Sequence, residues 1–347
     1  MFRAMTSTSR PFSLALLGAT GAMGRAVLEV LEDLDVPVTE VRLLATERSA
    51  GQEIDVRGEP TKVRAVGADA FRGVDVAILV AGPEASRTWA PVARQAGALV
   101  VDDSAAFRET AGVPLVVPEL NPEALDGATL GIYANPNAIA VALALLLKPL
   151  HAAAGVDTAV VATYQAVSGA GHRGVAQLEG EAADLMNGRE PAPPTRIPHR
   201  IAFNLVPQVG GAIGADGVAA EEAEIVRETR RLLGLPGLAI SATAVRVPVF
   251  YGHAAAVHLG LSRPLAPEAA REALRAAPAV KVVDLPAEGI YPMPMLAVND
   301  DAVLVGRIRP DPALPNGLAL FLAIDNLRKG GATNLVQVAV LVAARRP

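Results

Sequence analysis

Three glycines at three-residue spacing, Gly18, Gly21 and Gly24, stand between an apolar run and a helical run in FSLALLGATGAMGRAVLEVLEDL. Glycine lets a backbone turn tightly and approach an anion closely, and the free N–H groups and dipole of a helix start favour a pyrophosphate. That chemistry is dinucleotide binding; the plainer reading is a tight strand-to-helix turn without a ligand. At the tip of the following strand, LATERSAG, the residues Thr46, Arg48 and Ser49 suit a ribose phosphate, which makes NADP the first expectation. Glu47 keeps NAD open, because an acidic side chain there serves the ribose hydroxyls. Alternatively, Arg48 is a solvated loop residue.

The chain has no cysteine, so disulfides, thiolate ligands and thiol nucleophiles are all excluded. Its five histidines do not cluster. His253 and His258, the nearest pair, fall on opposite faces of a strand and read as structural or substrate contacts rather than metal ligands.

These residues need elements to hold them. With 347 residues, 51% of them hydrophobic, the chain is long enough for two domains. A net charge of -5 disfavours a basic nucleic-acid binder. The longest apolar run, Ala138 to Leu147, is too short to span a membrane, and no signal peptide opens the chain, so a cytoplasmic protein is expected. Residues 1–11 read as a loose leader. Buried strands FSLALLG, VRLLAT, VDVAILVAG and ALVVDDS alternate with the helices RAVLEVLEDL and SRTWAPVARQAG, the signature of a doubly wound parallel sheet. After Asn135 a long apolar helix, Ile139 to Leu150, leads into the longer strands VDTAVVATYQAVSG and LAISATAVRVPVFYG of a second, mixed α+β domain. The connection REPAPPTRIPHR between them reads as a surface loop rather than a recognition motif. The boundaries are 12–135 with 326–347 for the dinucleotide-binding domain, and 136–325 for the substrate and dimerisation domain.

The segments GATGAMG, ATERSAG, VVDDSAAFR, VPLVVPELNP, ANPNA, TYQAVSGAG, RVPVFYGH and DNLRKGGATN, in this order, resemble aspartate-semialdehyde dehydrogenase across essentially the whole chain. The resemblance implies an α/β fold with an N-terminal Rossmann-like sheet. It also implies a homodimeric, NADP-dependent enzyme of amino-acid biosynthesis that interconverts aspartyl phosphate and aspartate semialdehyde through a cysteine thioester. It further implies roles for matching positions. Gly18, Thr20, Gly21, Ala22, Met23, Gly24, Thr46, Arg48 and Ser49 would hold the cofactor, with Asn326 near the nicotinamide. Arg108 and Asn137 would face phosphate, Gln165 and Arg246 the substrate, Glu221 its amino group, and His253 would serve as acid and base.

Two chemical positions depart from the family. The nucleophilic cysteine that follows NPN is replaced in Asn135, Pro136, Asn137, Ala138, and a phosphate-holding basic residue is replaced by Glu224. Asp103 and Ala105 stand where the family's loop has asparagine and serine. A methyl group cannot attack an aldehyde, so Ala138 closes the thioester route. The pattern resembles the Usg-type branch of the family. Ser104, Thr163 and Ser168 lie in site segments, but none falls at the head of the long helix, and they read as hydroxyls that satisfy turns. The surviving Arg108, Arg246 and helix start suit a carboxylate ligand better than a phosphate. Three functions remain open: a cofactor-binding relative that has lost the phosphorylating reaction, an NAD(P)-dependent oxidoreductase without a covalent intermediate, and a dimeric scaffold with a vestigial pocket.

Overall fold

The computed structural model describes residues 10–345, so most of the leader expected at residues 1–11 lies outside the described residues. The chain divides into two compact units, one running through Pro136 and resuming at Gly331, the other comprising Asn137–Gly330.

The first unit contains β1 (Phe12–Leu17), α1 (Ala22–Asp33), β2 (Val38–Ala45), the hairpin β3 (Glu53–Val56) and β4 (Glu59–Lys62), and β5 (Arg64–Ala65). It continues through β6 (Val76–Leu79), α2 (Pro83–Gln95), β7 (Leu99–Asp102) and β8 (Ile132–Ala134). Six of these strands form a wholly parallel sheet in the order β5-β2-β1-β6-β7-β8. Every residue of β1 and of β6 is buried, because a parallel sheet is covered on both faces and its strands carry unbroken apolar runs. The order reverses about β1, with β2 on one side and β6 on the other, and such a switch point is where open α/β sheets bind ligands.

The second unit opens with α3 (Ala138–Ala154), then β9 (Val156–Gln165), α4 (His172–Met186), α5 (Ala220–Leu233), β10 (Ala239–Arg246) and β11 (His253–Leu261). Next come α6 (Pro267–Arg275), β12 (Val280–Val282), α7 (Pro294–Ala297), β13 (Val303–Asp311) and β14 (Gly317–Ile324). Its mixed sheet has the order β10-β9-β11-β14-β13-β12. Strand β9 alternates buried and open positions, as a sheet with one covered face requires. Helix α3 is apolar nearly all round and buried along most of its length, which makes it a central helix of its unit. The chain returns to the first unit as α8 (Thr333–Ala344).

Two expectations change. Helix α1 begins at Ala22, inside the glycine motif, rather than at Arg25. Residues 326–330 pack with the second unit, since Asn326 accepts bonds from Ser168 and Gly252. The proline-rich connection is a surface loop, exposed along most of its length, and its carboxyl end is anchored. Gln177 Oε1 accepts the N–H groups of Arg196 and Ile197, Glu181 Oε2 those of Ile201 and Ala202, and Ile197 and Ile201 join a buried cluster with Val167 and Leu178. Among the described residues no helix is long and apolar enough to cross a membrane.

Candidate functional site

The cradle of the first unit is built from backbone. Gly18 has φ +98°, and a Cβ there would lie 2.9 Å from the Val80 carbonyl carbon. A Cβ on Gly24 would lie 2.3 Å from Gly18 O, so the close approach of α1 to the end of β1 forbids a side chain. Gly21 differs: its added Cβ would meet only Gly18 O, at 3.4 Å, and it is exposed. No side chain caps α1, so the first-turn N–H groups of Ala22, Met23 and Gly24 have no partner among the described residues. Unpaired donors at the positive end of a helix dipole, reached over a bare glycine, form an anion site that fits a dinucleotide pyrophosphate. Beyond β2, Thr46 precedes the single turn Glu47–Ser49, and Thr46, Glu47 and Arg48 are exposed.

At the carboxyl end of β7, Arg108 is tied to the main chain. Its Nε donates to Asn135 O and its Nη2 to Asp103 O, both at 2.9 Å. Asn135 Nδ2 donates to Asp103 Oδ1 at 2.8 Å, and Asn334 Nδ2 donates to Asn135 Oδ1 at 2.8 Å. Burial pushes the Asp103 carboxyl above the usual range despite the Arg108 charge beside it. Asp102, fully buried, accepts the hydroxyls of Ser86 and Ser104, yet desolvation lifts its pKa to about 6. The Ser104 hydroxyl is thus committed to structure.

The second unit builds its site from side chains. Asn137 Oδ1 accepts the N–H groups of Ile139 (2.9 Å) and Ala140 (3.3 Å), an N-cap that fixes the head of α3. Its Nδ2 donates to Glu221 Oε1, which also accepts Gln165 Nε2, each at 2.9 Å. The side chain that the resemblance assigned to phosphate is therefore a cap and a bridge. Asn137 N–H donates to Glu228 Oε2 at 2.6 Å, and Glu228 is 1% exposed. Glu228 escaped the sequence reading, although its two-turn spacing from Glu221 sets both on one helical face. Glu224 falls between them in that spacing and is half-buried. Ala138 presents its methyl toward Gly330, where an added Cβ would come within 2.6 Å of Ala138 Cβ.

Arg246 and His253 converge over Gly169. A Cβ on Gly169 would lie 2.9 Å from Arg246 Nη1 and 3.0 Å from His253 Nε2, so glycine leaves room for both. Arg246 Nη1 donates to Ala166 O at 2.6 Å, and His253 Nδ1 accepts Ala166 N–H at 3.2 Å. A backbone N–H can only donate, so Nδ1 is bare and the ring proton sits on Nε2. Burial, reinforced by the Arg246 charge, lowers the His253 pKa to about 3. Desolvation likewise lowers Arg246 to about 10 against the pull of Glu221. His253 is thus a neutral ring offering a donor. Asn326 Oδ1 accepts Ser168 Oγ (3.1 Å) and Gly252 N–H (3.2 Å), while Thr163 Oγ1 accepts Gln165 Nε2 at 3.4 Å. Both hydroxyls serve structure. His258, on the other face of β11, pairs with Asp311 at 2.6 Å.

Comparison with known proteins places these features in a family context. The family model described as semialdehyde dehydrogenase, NAD binding domain, matches residues 13–128, and the one described as semialdehyde dehydrogenase, dimerisation domain, matches residues 147–329. The aspartate-semialdehyde dehydrogenase of Aquifex aeolicus is 42% identical over 95% of this chain and 98% of its own. That of Synechocystis is also 42% identical, over 96% and 98%. A crystal structure of aspartate semialdehyde dehydrogenase II complexed with ASA from Vibrio cholerae superposes with a TM-score of 0.91 at 39% identity, covering 96% of this chain and 98% of that one.

Proposed function

The chain belongs to the aspartate-semialdehyde dehydrogenase family, and from that membership we propose that it is an NADP-binding member, of the Usg-type branch, that has lost the phosphorylating semialdehyde dehydrogenase reaction. One observation carries the reading: residue 138, at the head of α3, is alanine, in a chain without cysteine.

The amides of Ala22, Met23 and Gly24 receive the cofactor's pyrophosphate, and Arg48 with Thr46 and Ser49 favours the ribose phosphate of NADP over NAD. The nicotinamide, when bound, supplies hydride transfer. Arg246, held by Ala166 O, offers its remaining N–H groups to a carboxylate, and His253 offers Nε2–H to a substrate oxygen. What is missing is a nucleophile to make the aldehyde tetrahedral before hydride leaves, a loss that costs about 10⁶ in turnover where such a residue has been removed from another enzyme class. Phosphate is opposed as well. Glu224 stands on the helical face of Glu221 and Glu228, and a like charge at ~4 Å in an effective dielectric of ~20 is worth up to ~4 kcal/mol. The dimerisation domain supports a homodimer as the working form.

The test is the family reaction. Purified protein given aspartate semialdehyde, phosphate and NADP should show no phosphate-dependent reduction of NADP, and Ala138→Cys with Glu224→Lys should restore it. Turnover by the unaltered protein, or a trapped acyl adduct on any of its side chains, overturns the reading. The convergence of His253 Nε2–H and Arg246 over Gly169 favours a second reading, an oxidoreductase acting on a small carboxylate-bearing aldehyde or alcohol without a covalent intermediate. A screen of hydroxy acids and aldehydes that never changes nicotinamide absorbance would dismiss it.

A further inference from the structure

Arg246 is not the only arginine on the turn Val167–Ala170. Its Nη1 is held by Ala166 O, just before that turn, and at the other end Arg196 Nε donates to Ala170 O at 3.0 Å. Gly169, over which Arg246 and His253 Nε2 converge, lies between the two carbonyls along the chain. Arg196 is exposed, yet its backbone is fixed. Its N–H and that of Ile197 each donate to Gln177 Oε1 at 2.9 Å, and the Ile197 side chain is buried with Val167 and Leu178. A planar guanidinium grips a carboxylate with two parallel bonds from neighbouring nitrogens. With Nη1 occupied, Arg246 keeps its Nε and Nη2 edge, and with Nε occupied, Arg196 keeps its Nη1 and Nη2 edge. Neither arginine has an ion pair among the described residues. Burial chiefly lowers the Arg246 pKa, Glu221 opposes the shift, and the charge of Arg196 adds to it. Glu221 exerts that pull without pairing, its Oε1 accepting Asn137 and Gln165.

We infer that this pocket takes a small ligand with two carboxylates, one on the buried Arg246 and the other on Arg196 at the rim, and that Arg196 sets this selectivity. The inference rests on the reading above that Arg246 holds a carboxylate. Two like charges mounted on one turn repel each other until anions neutralise them, so a dianion gains at both arginines where a monoanion gains at one. The His253 Nε2–H, beside Gly169, serves an oxygen between the two ends. Aspartate semialdehyde has one carboxylate and would leave Arg196 without a partner, whereas a dicarboxylic acid that is also an aldehyde or alcohol would use both arginines. A role for Arg196 as a latch on its loop accounts for Nε alone. One donor suffices for one carbonyl, and the charge and the second edge of the guanidinium would then do nothing.

Isothermal titration calorimetry on the full-length protein, at one fixed low ionic strength, tests the inference with butyrate, succinate, glutarate and adipate. The best-fitting diacid should bind about fivefold more tightly than butyrate, beyond the factor of about two that identical ends give by statistics and near the upper range for an exposed ion pair. Arg196→Gln should erase that margin. Arg200→Gln, which alters another exposed arginine of the same segment, should leave it in place. Arg246→Gln should weaken butyrate and diacid alike. A margin of about twofold or less overturns the inference while the carboxylate pocket stands. So does a margin that survives Arg196→Gln, or one that Arg200→Gln reduces equally, since the preference is then general attraction to a positive surface. Silence toward all four acids, or butyrate binding untouched by Arg246→Gln, instead removes the carboxylate reading of Arg246, and this inference falls with it.

Discussion

In the first unit the candidate anion site is made of main chain: three first-turn amides, one bare glycine, and two glycines that packing requires. In the second unit the corresponding chemistry rests on side chains, with Arg246 and His253 over Gly169 and a methyl at the head of α3. A backbone site tolerates drift in the surrounding sequence, because any residue supplies the N–H. On the function proposed above, a side-chain site loses its reaction with one sulfur atom, even where capping and hydrogen bonding stay in order. The two units also bury ionisable groups with opposite results, since Asp102 retains a proton and His253 refuses one.

The largest expected effect lies in that last contrast. Between pH 6.5 and about 3 the unfolded chain binds a proton at His253 that the folded chain excludes, so stability falls as pH drops through this window, by roughly 5 kcal/mol in all. Urea unfolding at stepped pH should show the slope, and His253→Gln should remove it. Gly24→Ala, with its Cβ 2.3 Å from Gly18 O, should destabilise the protein by about 3 kcal/mol and abolish the NADP-induced thermal shift. Gly21→Ala should weaken the shift while leaving the unfolding midpoint nearly in place. Asp102 acts with the opposite sign to His253. From pH 3.8 to about 6 the folded chain keeps a proton that the unfolded chain releases, so stability falls as pH rises, by about 3 kcal/mol, and Asp102→Asn should flatten that limb. If both slopes ran the same way, the contrast between the units would fail. The smallest effect is Asn137→Ala, a lost N-cap worth about 1–2 kcal/mol in unfolding free energy.

Much of this is legible along the chain. Unbroken apolar runs separated by helical periods point to the parallel sheet, and the glycine spacing points to the cradle, because both are local patterns with a single economical geometry. The head of α3 is legible only as a missing residue type. What surrounds it is not: Glu228 beneath Asn137 N–H, Asn137 acting as cap and bridge, and Arg108 tied to two carbonyls depend on contacts between segments far apart in sequence. Helix α1 starts earlier than expected because glycine reads as a helix breaker, whereas Gly24 is helical where packing against Gly18 O admits no side chain.

By itself the sequence determined which atoms are present: no thiol at the head of α3, a carboxylate at Glu224, and bare glycines at a turn. Covalent chemistry follows from atom type, so that part needed no coordinates. The tertiary structure decided what each remaining group can do. Whether His253 gives or takes a proton depends on the Ala166 N–H that occupies Nδ1 and on the burial that keeps the ring neutral, and both arise only when distant strands meet.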